Sequence, residues 1–147
     1  ALGEEIGWRG YLYHLLGSRP SIRSIVVVGA LWGLWHASAI AILGYNYPTN
    51  RLLGVALFTM LSIATTFPHL LLVTASGSVI PAASLHGAIN ALWGLTIAAL
   101  NLPLEQREVL LGLGVLGIIT WTIITVTLYL TTQRILHGHQ ALMRKHE

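Results

Sequence analysis

The sequence predicts an all-α fold: a polytopic transmembrane helical bundle of about four full spans plus an N-terminal helix that carries a polar motif. Three observations lead there. Hydrophobic residues make up 54% of the 147 and charged residues 9%, against roughly 25% charged in soluble domains, so there are too few charges to cover a soluble globule of this size. Mean hydropathy is +0.71. Four stretches of 20 to 24 residues contain no acid, lysine or arginine, and each is long enough to cross a hydrocarbon core of about 30 Å.

Leu2 to Leu16 reads as a helix with a polar side, Glu4, Glu5 and Arg9, and an apolar side, Ile6, Leu12, Leu15 and Leu16. Gly17-Ser18-Arg19-Pro20-Ser21 ends it: a glycine at the helix end, then a proline that cannot continue it. Ser24 to Leu43 is the first span and holds Trp32, Trp35 and His36. The polar turn Gly44 to Arg51 follows, with Tyr45 and Tyr47 suited to a headgroup-level aromatic belt. Leu52 to Ala75 is the second span, and Pro68 predicts a kink near Thr65. After the turn Ser76-Gly77-Ser78, Val79 to Leu100 is the third span, with Pro81 tolerable in its first turn and with His86 and Asn90 inside it. Asn101 to Glu108 reads as a loop. Val109 to Leu130, without an ionisable residue, reads as a packing helix.

Residues 131–147 read as a basic tail with an interfacial amphipathic character, in which His137, His139, Arg144, Lys145 and His146 suit anionic lipid. Loop charges set the orientation: Arg19, Arg23, Arg134, Arg144 and Lys145 on one side against Arg51 and Arg107 on the other make the first side, and the C-terminus, cytoplasmic. The whole, 1–147, reads as a single membrane-embedded domain. It starts at Ala1 inside a helix, so further N-terminal helices are expected upstream. There is no cleavable signal-peptide pattern.

Composition also excludes functions. With no cysteine, disulfides, thiolate metal sites and cysteine nucleophiles are absent. The net charge is +3 and no basic run is interleaved with aromatics, so nucleic acid is not an expected partner. The bilayer is.

Ionisable groups at membrane depth are expensive and functional by default. Two of only five acids are adjacent, Glu4 and Glu5. Glu5 and Arg9 are four apart and share a helix face, so they can pair. Glu4 lies roughly 140° around the axis from Arg9 and is the freer carboxylate. Read for function, the pattern makes Glu4 a base and Glu5–Arg9 its support; the alternative is a buried ion-pair cluster that fixes helix packing. Trp32 and His36 are again four apart, which lays the indole beside the imidazole as a shield. His86 and Asn90 share a face of another span and can donate to one small volume. His69, after Pro68, is a further candidate, with a local hydrogen bond to a carbonyl freed by the proline as its expected role; His14 sits near a helix end.

Three helices thus bring a carboxylate, two imidazoles and a carboxamide into a low-dielectric interior. This set suits hydrolysis. A carboxylate and a histidine activate water, either as bases or through a metal they ligate, and a histidine and an asparagine donate to the developing oxyanion. Two rivals use the same residues: a non-catalytic membrane scaffold or peptide-binding immunity protein, held together by them, and a proton or ion transporter, which would need further acids along a path.

Glu-Glu-x-x-x-Arg at Glu4 to Arg9, aromatic-x-x-x-His at Trp32 to His36 and His-x-x-x-Asn at His86 to Asn90, in that order on membrane helices, resemble the CAAX-protease and bacteriocin-processing family of intramembrane endopeptidases, which includes the type II CAAX prenyl proteases. The family's second motif usually has phenylalanine where this chain has Trp32, a conservative exchange for a shielding ring. The resemblance implies that Glu4, helped by His36, activates water, that His86 and Asn90 form the oxyanion site, and that Glu5 and Arg9 support the first motif. It leaves open whether the enzyme is a metalloprotease, with zinc held by Glu4, His36 and His86, or works by a metal-free glutamate. It implies a membrane-anchored, prenylated protein or peptide as substrate, or a role in bacteriocin maturation or self-immunity, in the plasma (inner) membrane.

Overall fold

A computed structural model of the chain describes residues 1–143, with side chains as far as residue 136. Arg144, Lys145 and His146 of the basic tail, and the side chains of His137 and His139, lie outside the described residues.

Every regular element among the described residues is helical. The chain runs through α1 (Leu2–Glu5), a π-helical segment (Ile6–Leu12), α2 (Tyr13–Leu15), α3 (Ile22–Trp35), α4 (Ala37–Leu43), α5 (Arg51–Ser76), α6 (Ile80–Ala99), α7 (Leu104–Leu110) and α8 (Val115–Met143). Ile22–Leu43, Arg51–Ser76 and Leu104–Leu136 are long and apolar enough to cross a membrane. The remaining expected span corresponds to α6, a 20-residue helix that carries Ser84, His86 and Asn90.

α5 is the hub. The share of its span that is buried is 61%, against 22% for the 104–136 stretch, which therefore presents most of its surface outward. α3 packs on α5 at backbone distance. A Cβ built on Gly29 would lie 2.5 Å from Ile63 Cα, and one on Gly33 would lie 2.5 Å from Thr59 Cα. This pair of small residues four apart lets two helix backbones touch. α3 itself starts at a capped end, where the Ser21 hydroxyl accepts from Ser24 N at 3.2 Å. Two apolar clusters flank α5. One joins Ile40, Tyr47, Leu57, Phe58, Leu61 and Leu113; the other joins Tyr13, Ile25, Val28, Phe67 and Leu70.

The structure revises several expectations. The N-terminal helix is not uniformly α: its middle is a π-helix. The first span is interrupted at His36, where α3 ends and α4 begins. Pro68 lies inside α5, which runs from Arg51 to Ser76. A proline at position 68 cannot donate to the carbonyl four residues back, and that carbonyl, Ala64 O, accepts from the Thr125 hydroxyl of α8. The freed acceptor thus becomes a link between two spans. The Asn101–Glu108 loop is shorter than expected, because α7 begins at Leu104. The expected packing helix is divided at residues 111–114, and α8 then continues without a break past Thr131. Tyr47 does not join an aromatic belt. It is fully buried, with its hydroxyl donating to Leu113 O at 2.6 Å.

Candidate active site

The N-terminal helix is held against the bundle at both ends. At its far end, Thr74 gives its own hydrogen to Leu70 O, so the Tyr13 hydroxyl donates to Thr74 Oγ1 at 2.8 Å. At the near end, Trp8 packs edge-on against Trp35 of α3 with centroids 6.1 Å apart. The two glutamates are thereby presented to α3 and α6.

Glu5 is sealed in, with its side chain and that of Arg9 fully buried. Arg9 Nη1 donates to Glu5 Oε1 at 3.1 Å, the pairing that the four-residue spacing predicts. His86 Nδ1 donates to the same oxygen at 2.8 Å. Glu5 Oε2 and Arg9 Nε and Nη2 are buried without a partner. The guanidinium also lies 4.1 Å over the Trp32 ring, a cation–π contact that stabilises a desolvated charge.

Glu4 is placed differently. Its side chain is 26% exposed, and Oε2 accepts from Trp32 Nε1 at 2.8 Å. The same oxygen is 3.7 Å from His36 Nε2. His36 Nδ1 is 3.0 Å from Trp32 O. A carbonyl only accepts, so Nδ1 carries the proton in that bond, and the neutral ring turns the Nε2 lone pair towards Glu4. His36 sits at the break between α3 and α4. Phe58 lies against its ring, centroids 4.6 Å apart.

Glu4, Trp32, His36, His86 and Asn90 line one cavity of about 180 Å³, together with Ser62 and Thr65 of α5. Apolar Phe58, Leu61, Ile89, Trp93 and Leu113 also line it, with Tyr45 and Asn46. The structure therefore brings the expected catalytic residues to one cavity and keeps the expected supports, Glu5 and Arg9, out of it.

Sequence reasoning missed three features. Trp32 does more than shield His36: it donates to Glu4, underlies Arg9 and packs edge-on against His86, centroids 5.2 Å apart. His86 is tied to Glu5, a link across α1 and α6 that no local spacing reveals. α5 also contributes a buried polar stripe, Ser62, Thr65, Thr66 and His69. The stripe was visible as polar residues three and four apart in an apolar span, and its hydroxyls donate to carbonyls one turn back. His69 is part of it. Its Nδ1 bonds to Thr65 O at 2.7 Å, not to the carbonyl freed by Pro68, and its ring is 6.1 Å from that of Trp32. His14 Nδ1 meets Ser18 Oγ at 3.0 Å at the exposed helix end.

The residues as placed do not form the expected zinc set. Among the described residues, no three His, Asp or Glu side chains are arranged to hold a metal ion. His86 gives Nδ1 to Glu5, and one oxygen of Glu4 is taken by Trp32. No step below is routed through a metal.

A family model described as type II CAAX prenyl endopeptidase Rce1-like matches residues 1–92, a stretch that contains every motif residue from Glu4 to Asn90. Searches of curated proteins and of solved structures return no match. With a family match over well over half of its length, and with apolar helices of membrane-crossing length, the chain belongs to the Rce1-like type II CAAX prenyl endopeptidases, a family of integral-membrane proteases.

Proposed function

We propose that this protein hydrolyses a peptide bond of a membrane-anchored, prenylated protein or peptide, using water activated by Glu4 and His36. The observation that carries this reading is the 3.7 Å approach of Glu4 Oε2 to His36 Nε2 on the polar wall of the cavity. Two acceptors at that separation can each take a hydrogen from one water, leaving its oxygen lone pair aimed away from both. Attack on the scissile carbonyl carbon forms the C–O bond and delivers the water proton to Glu4. The same proton passes to the departing amine as the C–N bond breaks.

Asn90 Nδ2 and His86 Nε2 serve the oxyanion. Because His86 Nδ1 already donates to Glu5, Nε2 can donate only when the ring carries both protons. Glu5, held by Arg9, is the counter-charge for that form. Glu5 and Arg9 thus act through His86, and Trp32 acts through Glu4. The loop arginines favour a cytoplasmic C-terminus.

The test is Glu4→Gln in full-length protein reconstituted in lipid vesicles, assayed on a quenched fluorescent peptide that ends in a prenylated cysteine followed by three residues. Cleavage is lost while the protein stays folded and inserted. Cleavage at the wild-type rate would overturn the assignment of Glu4.

A further inference from the structure

The family match ends at residue 92, but the cavity wall does not. Leu113 lines it, as do Tyr45 and Asn46 of the α4–α5 loop. These pieces are joined by a compact set of hydrogen bonds centred on Glu108 of α7, which is 1% exposed. Its carboxylate accepts from Thr49 N at 3.1 Å, Thr49 Oγ1 at 2.7 Å, Asn50 N at 2.9 Å and Asn50 Nδ2 at 3.0 Å. Two residues before Thr49, the Tyr47 hydroxyl donates to Leu113 O. The Tyr47 ring sits directly on Gly54 of α5, where any Cβ would collide with it.

We propose that Glu108 is a positioning residue for the reaction: through Thr49 and Asn50, and together with the Tyr47–Leu113 bond, it holds the cavity lining at Tyr45, Asn46 and Leu113 in the shape that accepts substrate. The proposal rests on the reading that the cavity is where the peptide is cleaved. Three observations lead to it. Glu108 does not line the cavity, yet both segments that it joins do. A buried carboxylate is a costly way to secure packing alone, since apolar residues do it without the desolvation. The loop that it grips also turns sharply beside the cavity: Asn46, a lining residue, has φ +62°, a left-handed conformation that asparagine adopts more often than most residues with a side chain. Glu108 fixes the loop by its two amides at 49 and 50, close to that point.

The test uses the same vesicle assay and prenylated peptide. Glu108→Gln keeps the size of the side chain, but it removes the charge and sets an NH2 group against donors. We expect KM to rise about tenfold with kcat within about twofold. Tyr47→Phe, which removes one hydroxyl, raises KM about threefold. In a Glu4→Gln background the uncleaved peptide reports binding directly, and adding Glu108→Gln weakens its Kd by the same factor as KM. A role in stability alone would lower the melting temperature and leave KM and Kd at their starting values; that result overturns the proposal, as does a fall in kcat at unchanged KM. If Glu108→Gln does not fold, Tyr47→Phe decides by the same readings. Efficient cleavage by Glu4→Gln would instead sink the endopeptidase reading, whatever Glu108 does.

Discussion

Glu4 and Glu108 are two of only five acids in the chain, and their surroundings are opposite. An ionised carboxylate offers about four lone-pair sites. At Glu108 four donors converge, three on Oε2 and one on Oε1, two of them from the main chain, and the residue is closed to solvent. At Glu4 one indole N–H is the donor, a quarter of the side chain is open, and a histidine nitrogen lies 3.7 Å away, beyond direct bonding distance. A carboxylate gripped by four donors and closed to solvent is out of a reactant's reach, whereas a carboxylate with one anchoring donor is oriented and still available. Glu5 stands between them: one oxygen is shared by Arg9 and His86, while the other has no partner. On the proposed function, the difference between a structural and a reactive acid lies in how many donors the fold supplies.

The largest effect expected from this contrast is at Glu4. Glu4→Gln lowers peptide cleavage by about 10²- to 10⁴-fold with the melting temperature in detergent unchanged; a drop in melting temperature matching the loss of activity would place Glu4 with the structural acids. Next comes Arg9→Ala, which leaves Glu5 buried beside His86 without its cation. It costs about 3–5 kcal/mol of stability in a denaturation titration. A loss below about 1 kcal/mol would mean that Glu5 does not depend on the pair. Trp32→Phe restores the aromatic usual in the family's second motif but removes the only hydrogen-bond donor that Glu4 has among the described residues. Single-turnover cleavage slows about tenfold, and an unchanged rate would show that the indole N–H does not orient Glu4. The smallest is Thr125→Val, remote from both carboxylates. It leaves Ala64 O without its partner at the cost of about 1 kcal/mol of stability, with cleavage rate and KM at wild-type values.

The fold class and most of the cavity's polar wall were legible in the sequence, because both rest on local rules. Charge scarcity and span length give the bundle. Four-residue spacing gives the Glu5–Arg9 pair and sets Trp32 beside His36, and His86 and Asn90 both reach the cavity. What was not legible depends on contacts distant in sequence. The bond between Glu5 and His86 spans 81 positions, and the Glu108 contacts span nearly 60. Neither leaves a periodic trace. Tyr47 was misread because a tyrosine next to a polar turn looks interfacial until the partner of its hydroxyl, a main-chain carbonyl at Leu113, is known. For the same reason, residue types say nothing about which nitrogen of His86 is already committed to Glu5.

The π-helical segment Ile6–Leu12 lies between two fixed points, the Glu4–Glu5 pair at the site and Tyr13 pinned to Thr74. Such segments amount to extra residues accommodated within an α-helix and recur at functional sites. Here the segment acts as a phase adjuster. Because each α-helical residue turns the chain by about 100°, the same residues wound as α-helix throughout would keep only one of the two anchors. With Tyr13 kept in place, both acids would turn away from His36 and His86. The winding of this stretch is therefore as much a determinant of the site as the identity of its glutamates.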